Sequence, residues 1–514
     1  MRSIFFEAVL LLSFFVCGPA AAALIQLETA TLDPHLLPRV PTQPMSQTLQ
    51  TRRGTAPYLV QARAPITAAW KEQVTKAGGV LHGYIPHHAF LVELTPAALV
   101  AVAALPEVAW IGMYAPAYKL SPGLQNPRLL RQRAAGASNQ CEIVVQTLAR
   151  VDVADVCAAI AADGGTVVAT ANEYDGLVRA VVNQAALAPL AARAAVAWIE
   201  PYVPPKLLND IAVQAPRMNV QTVWTNYGLT GKGQVIAVCD TGLDTGLNTS
   251  ALHPDFTNRV KIAFARARAS WSDPNGHGTH TSGSVLGNGS ASGGQYRGCS
   301  YEAQLVMQSV MDAGGSLSGL PADLNVLFYQ TYTNDARIHS DSWGSSVYGA
   351  YDTSARQADQ FMWNYKDMLL VFAASNDGTD SNGDGIIDPY SVGSPGTAKN
   401  VLTVGAAENQ RASGGYSGST WYDAWPADYP ANPIKSDYIS WPYDGVHQGM
   451  AAFSSRGPCS DARVKPDIAA PGTDIISCRS RAAGAGTGWG VYNSYYVYMG
   501  GTSMATPLTA GAAG

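Results

Sequence analysis

The sequence predicts an α/β protein, a parallel sheet with helices on both faces, preceded by two smaller α+β units. Three observations carry that expectation. Apolar runs alternate with segments of helical length after Gly231, an internal repeat fills residues 58–204, and an acid, an imidazole and a hydroxyl fall at turns bordering those runs. Hydrophobic residues make up 47% of the chain and charged residues 14%, enough apolar content for a large core. The net charge of −5 is mild and gives no ground for a nucleic-acid surface or a membrane-binding patch.

The N-terminus reads MRSIFFEAVLLLSFFVCGPAAAAL. Arg2 supplies a positive start, residues 4–16 an apolar run and residues 20–23 small cleavage-site residues, so 1–23 is expected to be a secretory signal peptide. Glu7 is an unusual residue in such a run. The run is too short for a membrane span, and no later segment is apolar enough for one. Export permits disulfides. Of the 7 cysteines Cys17 leaves with the signal, and Cys459 with Cys478 is the preferred pair, although the sequence does not fix the pairing. Cys239, inside an apolar run, reads as a small buried hydrophobe.

The repeat aligns a unit starting at Tyr58 and ending at Pro116 with one starting at Glu142 and ending at Pro204. Val60-Gln61 matches Val145-Gln146, Gly78-Gly79 matches Gly164-Gly165, and Trp110-Ile111 matches Trp198-Ile199. Alternating apolar positions and Ala-rich helical stretches give the order strand, helix, strand, strand, helix, strand in each. That order predicts a ferredoxin-like sandwich twice over. The first unit is assigned to 24–138, an N-terminal extension included, and the second to 139–208, with a polar Gly- and Pro-containing linker between them.

Beyond Gly231, strands are expected at 235–239, 303–311, 336–343, 368–375 and 401–407, with helices at 320–332 and 354–366. Near-continuous apolar strands separated by helices indicate a parallel sheet covered on both faces. Functional groups in such folds gather at the carboxyl ends of the strands. Asp240 directly follows the first of these strands, in VCDTGLD. His277 in NGHGTHTSG and Ser503 in MGGTSMATP each sit at a glycine turn opening a helix. Amide hydrolysis by a serine needs a hydroxyl to attack, an imidazole to carry its proton and a carboxylate to hold the imidazole. The order acid, imidazole, hydroxyl differs from the α/β-hydrolase order, and Ser503 stands in G-x-S-x-A rather than G-x-S-x-G.

From about Asn209 onward the chain resembles the subtilisin family of serine peptidases. DTGLD, HGTH, SSRGPCSDARVKPDIAAPG and GTSMATP look like its signatures, and their shared order makes the resemblance specific. It is most similar to the alkaline bacterial branch, in which a β-sandwich often follows the catalytic domain. The resemblance implies a subtilisin-like catalytic domain at 209–514 with Asp240 as orienting acid, His277 as general base and Ser503 as nucleophile. It implies Asn376 as the oxyanion-hole amide, and Ser342, Trp343 and Gly344 as substrate-binding strand. Ala373 to Ser375 match the opposite wall, with Ser375 where the family commonly has Gly. The two repeats then read as a doubled propeptide, the second copy docking on the catalytic domain as folding assistant and inhibitor and the first copy's role left open, with self-cleavage expected near Leu208-Asn209. Polypeptides are the implied substrates.

Calcium is the expected cofactor. Asp380, Asn382, Asp384 and Asp388 form D-x-N-x-D-G-x-x-D, the first part of an EF-hand-type loop, with Ser391 replacing the usual twelfth-position Glu. Asp255 in HPDF matches a calcium ligand of the resembled family. Competing readings were weighed. Two DTG turns four residues apart cannot supply the facing lobes of an aspartic peptidase. A secreted serine esterase lacks its nucleophile elbow, and a non-catalytic binding protein would not need a complete triad. The chain stops at Gly514, about three turns into the helix of Ser503, so a truncated catalytic domain and an incompetent fragment were also expected.

Overall fold

The structure is a computed structural model that describes residues 24–40, 54–125, 140–173, 175–202, 206–207, 218–411, 413–441 and 449–514. The expected signal peptide and the Leu208-Asn209 bond lie outside the described residues. The chain divides into Met1–Pro201 and Tyr202–Gly514.

In the first unit both repeats adopt the expected order. The first runs β1 (Ala56–Ala62), α1 (Ala68–Lys76), β2 (Val80–Ile85), β3 (Ala89–Leu94), α2 (Pro96–Ala103) and β4 (Val108–Met113). The second runs β5 (Gln140–Thr147), α3 (Val153–Ala162), β6 (Thr166–Ala171), β7 (Leu177–Asn183), α4 (Leu187–Ala191) and β8 (Val196–Pro201). The sheets order as β2-β3-β1-β4 and β6-β7-β5-β8, the same antiparallel arrangement in both. Thr67 and Thr95 cap α1 and α2 by accepting from Trp70 N–H and Ala98 N–H, which satisfies donors a helix start leaves free. The buried Lys119 Nζ, just past the first repeat, donates to the Arg193 carbonyl of the second at 2.7 Å.

The second unit opens with β9 (Lys206–Leu207) and α5 (Val220–Tyr227). Then follow β10 (Val235–Asp240), β11 (Val260–Ala265), α6 (His277–Leu286), β12 (Gln304–Ser309), α7 (Leu324–Tyr332), β13 (Ile338–Asp341) and β14 (Trp343–Gly344). α8 (Thr353–Asn364), β15 (Leu369–Ala373), β16 (Leu402–Ala407) and β17 (Ile468–Pro471) lead to β18 (Ile475–Cys478), β19 (Gly490–Val491), β20 (Tyr496–Met499) and α9 (Thr502–Ala513). Seven strands form one parallel sheet in the order β11-β12-β10-β13-β15-β16-β17. Two separate apolar clusters fill the unit, one around Phe256, Leu305, Trp421 and Leu508, the other around Phe328, Trp343, Phe361 and Phe372. All of α6 is buried, so it reads as a central helix rather than a surface helix with one apolar stripe.

Two strands of this seven-stranded sheet escaped the sequence reading. β11 alternates poorly and β17 has only four residues, two of them exposed, as befits the two edges of the sheet. The preferred disulfide is not formed, since Cys459 and Cys478 are both free thiols. Cys478 instead donates to an Asp255 carboxylate oxygen at 3.4 Å, and Cys459 sits beside Gly349 and Ser460 in another part of the unit.

Candidate active site

Asp240 ends β10, fully buried, so the sheet's central strand delivers its carboxylate to the carboxyl edge. One oxygen accepts the Thr241 N–H at 2.7 Å and pairs with His277 Nδ1 at 2.5 Å; the other accepts the Thr281 hydroxyl at 3.2 Å. His277 is the first residue of α6. Gly276 before it holds φ 96°, a left-handed value that a side chain disfavours. With Nδ1 engaged by a carboxylate, the neutral ring keeps its proton there and leaves Nε2 as the acceptor.

Ser503 lies in the first turn of α9, which packs against α6. Its hydroxyl donates to the Ser342 carbonyl at 2.8 Å, and the Ser342 hydroxyl returns a bond to the Ser503 carbonyl at 2.6 Å. Asn376, past the end of β15, accepts the Thr502 N–H at 2.8 Å and the Thr502 hydroxyl at 2.9 Å through Oδ1. Those two donors fix the amide orientation, so its N–H₂ is the end left to donate outward. Ser375 before it holds φ 94°, the conformation for which the expected Gly would have been the unstrained choice. Its hydroxyl and that of Ser346 both donate to Asp377, at 2.7 and 2.6 Å.

The expected substrate strand is a sheet edge already paired. β9 runs antiparallel to β14, with Lys206 opposite Gly344 and Leu207 opposite Trp343. Ser342 is therefore hydrogen-bonded to the Ser503 segment at one end and adjoins the β9 pairing at the other.

Sequence reasoning missed Asp273. Fully buried, it accepts from Thr241 Oγ1, Gly276 N–H, Thr279 N–H and Thr279 Oγ1 at 2.6–2.9 Å, which ties the Asp240 turn to the start of α6. Burial raises its pKa, and those four donors oppose the rise. No motif advertises such a residue: three of its four donors lie in an ordinary loop three to six positions further along the chain, and the one that ties it to the Asp240 turn, Thr241, is 32 positions away. His280 is fully buried, and burial followed by the nearby His277 holds its pKa well below the usual value. That agrees with a structural role beside the site rather than a second base.

The loop expected to bind calcium closes on itself. Asp380, 1% exposed, accepts Asp384 N–H and Gly385 N–H; Asp384 accepts Ile386 N–H, and Asp388 accepts Ser381 N–H. These turns are what the D-x-N-x-D-G spacing would form around a cation, so the residues fit the group. They do not draw Asp380, Asp384 and Asp388 into one tight set. Among the described residues, the one group of three metal-capable side chains with ligand atoms within 4.8 Å of each other is His253, Asp255 and Cys478. Asp255 fits calcium less well, since its oxygens accept from Ala291 N–H, Tyr496 O–H and Cys478 S–H, all internal donors.

Residues 231–514, more than half the chain, match the model of the subtilase family. The chain belongs to the subtilase family. Residues 26–115 match a domain of unknown function. The serine protease AprX of Bacillus subtilis (strain 168) is 33% identical over 331 residues, 60% of this chain and 62% of AprX. The Dictyostelium discoideum serine protease/ABC transporter B family protein tagB is 27% identical over 363 residues, 60% of this chain and 18% of that protein. Among solved structures, fervidolysin from Fervidobacterium pennivorans, described as a keratinolytic enzyme related to subtilisin, superposes with a TM-score of 0.48 at 19% identity, covering 74% of this chain and 55% of that one. This chain thus spans less than two thirds of each of these relatives.

Proposed function

We propose that this subtilase is the precursor of a secreted serine endopeptidase. The observation that carries the reading is the buried His277–Asp240 pair at 2.5 Å, with Asn376 locked by its oxygen onto the residue before Ser503. In the reaction, Ser503 exchanges its bond to the Ser342 carbonyl for one to His277 Nε2, and its oxygen attacks the peptide carbon. His277 takes the proton and returns it to the leaving amine, and Asp240 holds the ring and supports its charge. The Asn376 N–H₂ and the backbone N–H groups at the start of α9 face the developing oxyanion. Labelling by a fluorophosphonate probe tests this: the full-length protein reacts at Ser503 and Ser503→Ala does not. Equal labelling of the two sinks the mechanism. Turnover of casein as well as a simple ester separates the endopeptidase from the esterase reading.

The repeats act as a doubled propeptide. The β9–β14 ladder supports this, because an extended peptide added to that edge is how such a groove reads substrate backbone. The self-cleaved bond of this reading is Leu208-Asn209, just past the end of β9 at Leu207. A mature N-terminus far outside 205–215 argues against it. Calcium, held by Asp380, Asn382, Asp384 and Asp388, contributes rigidity and no chemistry. Chelation is expected to lower Tm, and Asp380→Asn to abolish the difference between chelated and calcium-loaded protein.

A further inference from the structure

Next to the catalytic serine's turn stands an aromatic group that none of the roles above uses. Trp489 lies flat on Gly500, three residues before Ser503. A Cβ built on Gly500 would fall 1.5 Å from the indole ring, so only glycine permits this approach. Trp489 is half-buried, and its ring meets Tyr416 edge-on at 4.9 Å, Trp425 at 5.9 Å and Phe453 at 6.4 Å between centroids. Tyr416 and Trp425 are half-buried too.

Two ties fix this group to the catalytic turns. Gly486 N–H donates at 3.0 Å to the carbonyl of Asn275, two residues before His277. Gly378 N–H, two residues after Asn376, donates to the Phe453 carbonyl at 2.9 Å. The aromatic group therefore reaches from the base's turn to the oxyanion amide's turn. Trp343, on the strand that pairs β9, belongs to the other apolar cluster. Ser503 is thus flanked by two different neighbours, Ser342 beside β14 through hydrogen bonds and Gly500 with its overlying Trp489 through the chain.

We infer that Trp489, with Tyr416 and Trp425, forms the pocket for the residue just after the scissile bond and selects large apolar or aromatic side chains there. This rests on the peptidase reading. Rings standing edge-on leave open faces against which another ring packs favourably. Apolar contacts of this size discriminate between side chains by roughly 10–200-fold.

Acyl transfer isolates that pocket. An ester substrate acylates Ser503, and an added amino-acid amide then competes with water. Its amine bonds to the acyl carbon, the carbon–Oγ bond breaks, and the amine's proton passes to Oγ. The full-length protein, self-processed, is expected to capture phenylalaninamide at least roughly tenfold better than glycinamide. Trp489→Ala should bring the ratio near one, with Tyr416→Ala and Trp425→Ala in between. Fluorophosphonate titration counts intact sites in every variant, and should Trp489→Ala fail to fold, Trp489→Leu and Tyr416→Ala decide. A labelled, ester-cleaving enzyme whose ratio is near one, or is the same in wild type and variants, overturns the inference and leaves the peptidase reading standing. Absence of labelling at Ser503 overturns both.

Discussion

At the residue scale, most of the chemistry is a matter of which end of a side chain is already spoken for. Asn376 has its oxygen on Thr502, so its replacement by Ala removes one oriented donor together with the acceptor of the Thr502 N–H and hydroxyl, while the Ser503–Ser342 bonds stay. Asn376→Ala is expected to lower kcat by about 10²–10³ with KM little changed, a magnitude taken from a related subtilase; steady-state kinetics checks it. Glu408 is 2% exposed, and its carboxylate accepts from Trp421 Nε1, Trp441 Nε1 and Gly449 N–H. Burial, then the Asp437 charge, nevertheless pushes its carboxyl up to about 7. An acid with a raised folded pKa holds a proton that the unfolded chain has lost, so its contribution to stability is full below the unfolded pKa of about 4.3 and declines as pH rises through 7. Urea midpoints are expected to fall between pH 5 and 7.5 in the wild type and to flatten over that window in Glu408→Gln.

At the scale of elements, the Asp240 turn and the start of α6 are joined by Asp273 rather than by packing alone. Asp273→Ala leaves buried donors without an acceptor and is expected to cost at least about 1–3 kcal/mol, read as a lower urea midpoint together with a lower rate of Ser503 labelling. The sequence revealed the interior strands β10, β12, β13, β15 and β16, because burial on both faces makes most positions apolar, β13 with its buried His339, Ser340 and Asp341 being the exception. It hid β11 and β17, whose outer sides have no neighbour to demand that pattern. The predicted strand over 336–343 proved to be β13 and β14, broken at Ser342, where the carbonyl turns to Ser503. Asp240, His277 and Ser503 were legible because each is embedded in a local motif. Asp273 and the aromatic group were not, because they act across space: Tyr416 and Trp489 touch from 73 positions apart.

At the scale of the molecule, the unit of the two repeats carries its own response to pH. Lys119 is fully buried, with the Arg193 carbonyl as acceptor, and burial lowers its ammonium to about 7. Its unfolded value is near 10.4, so the unfolded chain binds more protons between the two, and stability of the repeats rises with pH from about 7 toward 10. Hydrogen exchange of the full chain is expected to show the repeats opening more readily at pH 6.5 than at pH 9, with the difference lost in Lys119→Met.

The pairing of β9 with β14 has one more consequence. The segment in the groove is part of the same chain, so it competes with free peptide at a local concentration on the order of millimolar, which dilution does not lower. Outside substrate at micromolar level meets a filled groove however little enzyme is present. On the propeptide reading proposed above, release depends on a covalent event that each molecule undergoes once, and the delay before activity is set by that clock rather than by how much protein has accumulated.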